Sequence, residues 1–434
     1  MRCLVTGAYG FIGREVVAAL LRDGAIVVGA GRDLDLGRRV LPGIEWAACD
    51  YNKDVEPAAW APRLDGIDAV VNCVGILQGG LSDDAERIHA DATIALFEAC
   101  AAAGVKRIVH VSAVSAEAGM VTTYARSKAT ADAALAGVAV NWLIVKPSLV
   151  IGRGSYGGTS LLRGLAGLPF VLPLPGRGDA RFQPIAADDL ARGIARLVTA
   201  LEPSRTTLYA AGPETLRVRD ILLAYRAWLG FAPARTVAVP LPLLRLLLRL
   251  GDVAGFLGHD TAARSTSLAQ MRYDTLVDGS GFARWCGAPP KGFSATLAAW
   301  PATLQDRLHA RSFFAVPLLQ VALALFWILT GILTLTPNSF ASAVQLVSDG
   351  GFDARLAAIL VGTASVADII AGALFLVPRF VRRAGVAQLV LSAIYLLGLS
   401  VVAPELWTDH FGPLLKVMPM MAATLAVMAF QEKR

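Results

Sequence analysis

Thr6-Gly7-Ala8-Tyr9-Gly10-Phe11-Ile12-Gly13 is a glycine turn set between an apolar strand, Met1–Thr6, and a helix over Glu15–Arg22. The inner face of that helix carries Val16, Val17, Leu20 and Leu21. Gly7 permits the tight turn, Gly10 lets backbone approach a pyrophosphate, and Gly13 lets helix and strand pack closely. The helix N-terminus offers N–H groups and the positive end of its dipole to an anion. A glycine triplet alone is a weak signal, but strand–turn–helix is the context in which it means dinucleotide binding. Thr6, Gly7, Tyr9, Gly10, Phe11, Ile12 and Gly13 are therefore expected to hold a dinucleotide.

Outward from the turn, short apolar runs alternate with helical patterns. Strands are expected at Ile26–Ala30, Trp46–Cys49, Ala69–Val74, Ile108–Ser112 and Trp142–Val145. Helices are expected over Asp91–Ala103, Tyr124–Ala136 and Asp188–Leu201. Strands that are nearly continuous apolar runs, separated by helices, imply a parallel sheet covered on both faces. The fold class is thus α/β, a Rossmann-type doubly wound sheet with a small cap. The Gly- and Pro-rich Gly152–Gly178 reads as loop around a crevice, and residues 213–300 as small cap elements. Pro240–Leu250 (PLPLLRLLLRL) reads either as a helix packed within the cap or as an amphipathic interfacial one. The expected domains are 1–235, the dinucleotide-binding domain with part of the cap; 236–310, the cap remainder and linker; and 311–434, a helical membrane domain.

The second strand ends at Gly31-Arg32, where an acid selects NAD and a basic group NADP. Arg32 stands there, with Asp33 after it, so NADP is expected, with NAD as the alternative. Tyr124-Ala125-Arg126-Ser127-Lys128 puts a phenol and an ammonium one helical turn apart. The ammonium is expected to lower the phenol pKa, so that Tyr124 works as general acid or base on a carbonyl or alcohol. Lys128 also suits the ribose hydroxyls. Ser112, with Ser115 as the alternative, is expected to orient the substrate oxygen.

The 434 residues are 55% hydrophobic and 17% charged, more apolar than the about 45–50% and less charged than the roughly 25% of soluble domains. The excess lies after residue 312. Phe313–Leu335, Leu356–Val377, Ala384–Ala403 and the weaker Phe411–Phe430 read as four membrane spans. Arg307 and Arg311, then Arg379, Arg382 and Arg383, then Lys433 and Arg434 fall on one side, which the positive-inside rule makes cytosolic. The chain opens on a strand without a leader-like segment, so a multi-pass plasma (inner) membrane protein with a cytoplasmic α/β domain is expected. Asp368 lies about 18 Å along its helix from Leu356. A carboxylate at that depth is either functional or a polar tie between helices. The net charge of +6 is scattered, without a basic and aromatic stripe, so nucleic acid is not an expected partner. The five cysteines show no metal-ligand spacing and read as reduced core residues; no metal is expected.

Together these residues resemble the short-chain dehydrogenase/reductase superfamily over roughly residues 1–300. The nearest branch is the extended and atypical one, with NAD(P)-dependent epimerase/dehydratase-like proteins and the NAD(P)H-binding accessory subunit of respiratory complex I. The likeness rests on the glycine turn, Asp50, Asn72-Cys73-Val74-Gly75, YARSK, Lys146-Pro147-Ser148 with Gly152, and Arg181–Ile185 followed by Asp188-Asp189. It implies that Asp50 touches the adenine, that Asn72 and Gly75 line the nicotinamide side, and that Pro147 presents backbone to the carboxamide. His89, where the family often has Asn, and Lys146, for a common Arg, are departures. Residues 310–434 resemble the DoxX-like four-helix membrane family.

The resulting expectation is a membrane-anchored NAD(P)-dependent oxidoreductase, with Tyr124, Lys128 and Ser112 as its catalytic group. Its substrate would be a small, lipophilic carbonyl or alcohol such as a quinone, isoprenoid or lipid-linked sugar. The alternatives are a non-catalytic NAD(P)H-binding module that stabilises or regulates a membrane protein complex, and an epimerase or dehydratase that recycles its cofactor internally.

Overall fold

The computed structural model describes residues 1–77, 84–117, 122–200, 202–259, 261–270 and 276–431; Lys433 and Arg434 lie outside the described residues. The chain forms two compact units, residues 1–255 with 261–310, and residues 256–260 with 311–434.

The first unit is built on a seven-stranded sheet. Its strands are β1 (Arg2–Thr6), β2 (Ile26–Gly31), β3 (Glu45–Ala48), β4 (Ala69–Asn72), β5 (Arg107–Val111), β6 (Asn141–Pro147) and β7 (Thr206–Ala210). They lie in the order β7-β6-β5-β4-β1-β2-β3, all parallel. β7 is not legible in the sequence because its TTLYA is a half-buried edge strand, not an apolar run. Helix α1 (Gly13–Arg22) packs Val16, Val17 and Leu20 on one face of the sheet. The opposite face is covered by α2 (Ala92–Ala102) and α3 (Thr123–Ala136), through Leu96, Phe97, Ala131 and Leu135. Helix α4 (Ala187–Thr199) joins the α1 side with Leu190, Ile194 and Leu197. Because β1 lies between β2 and β4, successive crossovers leave it in opposite directions, which opens a crevice beyond the strand C-termini.

The cap has its own core of Ile151, Leu162, Leu172, Leu174, Ile221, Leu222 and Tyr225. Gly152–Gly178 is not all loop. Helix Gly157–Ala166 buries Leu161 and Leu162, and strand Val171–Pro175 pairs in parallel with Arg235–Val239. Pro240–Leu250 lies almost wholly in helix α5 (Leu241–Phe256), which is not packed within the cap: only Leu248 and Gly255 are buried.

The second unit contains α6 (Leu304–Thr334, which begins in the first unit), α7 (Pro337–Asp349), α8 (Ala354–Phe375), α9 (Val381–Val402) and α10 (Val417–Ala429). Three of these, α6, α8 and the stretch through α9, are long and apolar enough to cross a bilayer. The expected fourth span is shorter than Phe411–Phe430: Gly412 turns the chain with φ +51° and helix begins only at Val417, covering about 20 Å at 1.5 Å per residue. Arg382 Nη2 nevertheless donates to Gln431 O at 2.9 Å, so the chain after α10 returns to the basic end of α9. Small residues bring these helices close. A Cβ on Gly372 would meet Ala324 O at 2.8 Å, and one on Gly331 would meet Ser365 O. Asp368 is buried on α8, and Tyr395 on α9 donates its hydroxyl to it at 2.7 Å.

Candidate active site

The glycine turn has the shape a diphosphate requires. Gly7 adopts φ +67°, and Gly10 N donates to Gly7 O at 2.9 Å. A Cβ on Gly13 would collide with Gly7 O, and one on Gly10 would stand 3.0 Å from it. Ile12 at the N-cap of α1 supplies no side-chain cap, while Arg14 N and Glu15 N bond back to Gly10 O and Ile12 O at 3.1 Å. Phe11 packs where a Cβ on Gly152 would lie and stacks on Tyr156, with centroids 6.1 Å apart. Tyr9 covers Gly31 at the end of β2, and its hydroxyl accepts from Arg32 N and Asp33 N.

At that same strand end the two charged neighbours are used differently. The Asp33 carboxylate accepts from Leu36 N at 2.9 Å and caps the helix Leu34–Val40. The exposed Arg32 side chain stands beside it. Asp50 closes its own turn, accepting from Asn52 N at 3.1 Å, with Lys53 at 3.4 Å. Its carboxylate is therefore engaged locally, as a capping residue would be.

Helix α3 brings Lys128 to the C-terminal ends of β4 and β5, with Tyr124 one turn before it and packed on His89. Lys128 is buried and donates to Val111 O at 2.8 Å and Val74 O at 3.2 Å. These contacts use two of its three donors. The exposed Gly75 borders it: a Cβ there would lie 3.2 Å from Nζ. Burial brings the Lys128 ammonium down to about 8, against the opposing pull of Asp132. The expected lowering of the Tyr124 phenol is not found. Burial, reinforced by Asp132, pushes it up to about 12, so Tyr124 carries its proton at neutral pH.

Beneath this pair lies a polar network that no sequence motif signals. His89 is buried and held well below the ordinary histidine range by burial and by Lys128. Its Nε2 accepts from Ile76 N at 3.0 Å, so Nδ1 bears the proton and donates to Ser127 Oγ, also at 3.0 Å. Ser127 in turn donates to Tyr124 O at 3.2 Å, and the His89 ring meets Tyr124 edge to face. Deeper still, Asn72 Oδ1 accepts from Thr6 at 2.8 Å, Tyr51 at 3.1 Å and Val74 N at 3.1 Å. Asn72 Nδ2 donates to His110 Nδ1 at 3.2 Å. His110 is neutral, kept so by burial, and turns its Nε2–H toward Asp132, 3.6 Å away. Asp132 also takes the Ser112 hydroxyl at 2.8 Å and the Lys146 ammonium at 3.0 Å.

Several expectations change accordingly. Thr6 and Asn72 are fully buried and saturated from within, so they shape the strand ends and do not present side chains to a ligand. The Ser112 proton is committed to Asp132, which leaves its oxygen to accept. Pro147 ends β6, and its carbonyl accepts from Val114 N at 3.2 Å. Asp132 had one readable signal: it follows Lys128 by four residues, one turn further along α3. Asp188 and Asp189 bind Arg192, and Asp189 accepts from Lys291 N, so they organise the cap.

Comparison with known proteins bears on the fold of the two units. Residues 7–162 match the family model described as NAD(P)H-binding, and residues 324–425 match the DoxX-like family. The chain therefore carries an NAD(P)H-binding domain of Rossmann fold joined to a DoxX-like membrane domain. A ceramide reductase of Caulobacter vibrioides is 29% identical over 174 residues, 39% of this chain and 52% of that protein. The mitochondrial NADH dehydrogenase [ubiquinone] 1 alpha subcomplex subunit 9 of Rattus norvegicus is 28% identical over 56% of this chain and 64% of that protein. The chain thus spans about half the length of the curated relatives it matches. Among solved structures, the Escherichia coli NADPH-dependent quinone oxidoreductase QOR2 with NADPH aligns with TM-score 0.53 at 17% identity, over 68% of this chain and 99% of that one. The Bacillus cereus UDP-glucuronic acid 4-epimerase with NAD aligns with TM-score 0.52 at 18% identity, over 72% and 100%. At these identities the likeness concerns the fold.

Proposed function

We propose that the chain is a membrane-anchored, NADP-dependent oxidoreductase of short-chain dehydrogenase type, with its α/β domain in the cytosol. Its substrate is a carbonyl or alcohol of a lipophilic molecule. The observation that carries this reading is the buried Lys128 ammonium beside Gly75 at the end of β5, with Tyr124 one turn before it on the same helix. The turn takes the pyrophosphate on the N-terminus of α1. Arg32 takes the 2′-phosphate, since Asp33 is occupied as a helix cap. Asp50 borders the adenine, while Asn72, Gly75 and Pro147 shape the nicotinamide end. The nicotinamide, when bound, supplies or accepts the hydride. Tyr124, protonated at neutral pH, gives its proton to the substrate oxygen, and the third donor of Lys128 holds the ribose hydroxyls. Ser112, its own proton held by Asp132, offers its oxygen to a substrate hydroxyl. A lipophilic substrate is supported by the membrane helices and by the likeness to a ceramide reductase.

Tyr124→Phe tests the assignment. Turnover should fall by about 10²–10⁴-fold, the usual worth of a general acid, while NADPH affinity stays within about twofold. An unchanged rate overturns the role of Tyr124.

A second reading is favoured by the raised phenol pKa and by the likeness to an NADH dehydrogenase subunit. In it the domain binds NADPH without turnover and stabilises a membrane complex. Tight retention of nucleotide by wild-type protein, with no oxidation across a panel of lipid carbonyls and quinones, selects that reading.

A further inference from the structure

Helix α5 has three distinct faces. Leu248, Gly251 and Gly255 form the one that holds it to its own domain: Cβ atoms on the two glycines would strike Ala263 O and the Arg264 guanidinium. Arg245, Arg249 and Asp252 lie on a second. The third is an apolar stripe of Leu243, Leu246, Leu247, Leu250 and Val253, each between 49% and 65% exposed. These positions fall within about 120° of one another at 100° per residue. Solvated single apolar residues are ordinary, but four leucines and a valine on one face of a four-turn helix are a surface awaiting a partner.

The chain itself indicates which partner. Residues 256–260, which begin with the last residue of α5, belong to the membrane unit. His259 bonds Leu376 O at 2.7 Å, where α8 ends, and Arg379 follows three residues later. The end of α5 is thus tethered by three residues, at most about 10 Å of extended chain, to the basic end of the spanning helices. We propose that α5 lies in the headgroup–acyl boundary of the bilayer, its leucine stripe in the lipid. Arg245 and Arg249, exposed on the adjacent face, reach anionic headgroups. The proposal is independent of the catalytic reading.

The test uses the full-length protein in nanodiscs of phosphatidylcholine and phosphatidylglycerol. Spin labels go on Leu246→Cys, Leu250→Cys and Arg249→Cys. The native cysteines are buried or half-buried, and burial pushes the four most buried thiols and Cys73 up to about 12 or beyond, so labelling is selective. Labels at 246 and 250 should collide with oxygen in preference to an aqueous nickel chelate, and the label at 249 should show the reverse. A nickel-accessible stripe overturns the proposal. So does a stripe shielded from both reagents, which would mean that it packs against a second copy or another protein surface.

Discussion

Lys128 is the residue on which most of the site's chemistry converges. Its ammonium is buried among carbonyls that favour the charged form, yet burial wins and brings the pKa from 10.5 to about 8. The charged form therefore dominates below pH 8 and is lost above it. If that ammonium holds the ribose, NADPH affinity stays flat below pH 8 and declines above it, by up to about tenfold per unit for one linked proton. Titration calorimetry across pH 6.5 to 9.5 measures this, and Lys128→Arg, which keeps the charge, should remove the inflection. At this scale the sequence is only partly legible. Tyr124 and Lys128 are readable because one turn of one helix joins them. Ser127, Tyr51 and His110 are not, since their partners lie 38 to 45 residues away along the chain. The phenol departs from its expected direction for the same reason: its burial is set by neighbouring elements, not by the motif.

Among elements, the glycine turn is legible because its demands are local: φ +67° at Gly7 and the absence of a Cβ at Gly13 follow from close packing of β1 and α1. Edge and cap elements are not, because β7 and the helix Gly157–Ala166 owe their formation to the surfaces they meet. In the membrane unit the clearest inter-element tie is Tyr395 on α9 bonding Asp368 on α8. Tyr395→Phe removes that donor and should destabilise the helical unit by roughly 0.6 to 1.7 kcal/mol, the range for hydrogen bonds between membrane helices. Thermal unfolding in detergent should show a lower Tm, with NADPH affinity unaltered. An unchanged Tm would mean that the pair contributes nothing to stability.

At the scale of the whole molecule, the two units carry separate tasks on one chain. The exposed Arg379, Arg382 and Arg383 and the return of Gln431 to Arg382 put one end of the bundle on the basic side. In the proposed orientation, which follows the positive-inside rule, that side is cytosolic, where nicotinamide nucleotides are available. In intact cells, a membrane-impermeant thiol reagent should label His410→Cys from outside and label Arg382→Cys only after permeabilisation. The opposite pattern would put the α/β domain outside the cytosol and remove its cofactor supply. The uneven distribution of apolar residues along the chain makes this division legible from composition alone. The length of the last helix is not, since the Gly412 turn and the turn that follows it delay the helix to Val417, with Lys416 at its N-cap.

Every functional step above depends on the helix N-terminus at Gly13 receiving a nucleotide diphosphate. Calorimetric titration of the full-length protein in mild detergent with NADPH and NADH addresses this directly. Stoichiometric binding is predicted, tighter for NADPH, with that preference reduced about ten- to a hundredfold by Arg32→Ala, the worth of charge-assisted phosphate bonds. Absence of binding by either nucleotide, from protein that unfolds cooperatively, would contradict the dinucleotide-binding role.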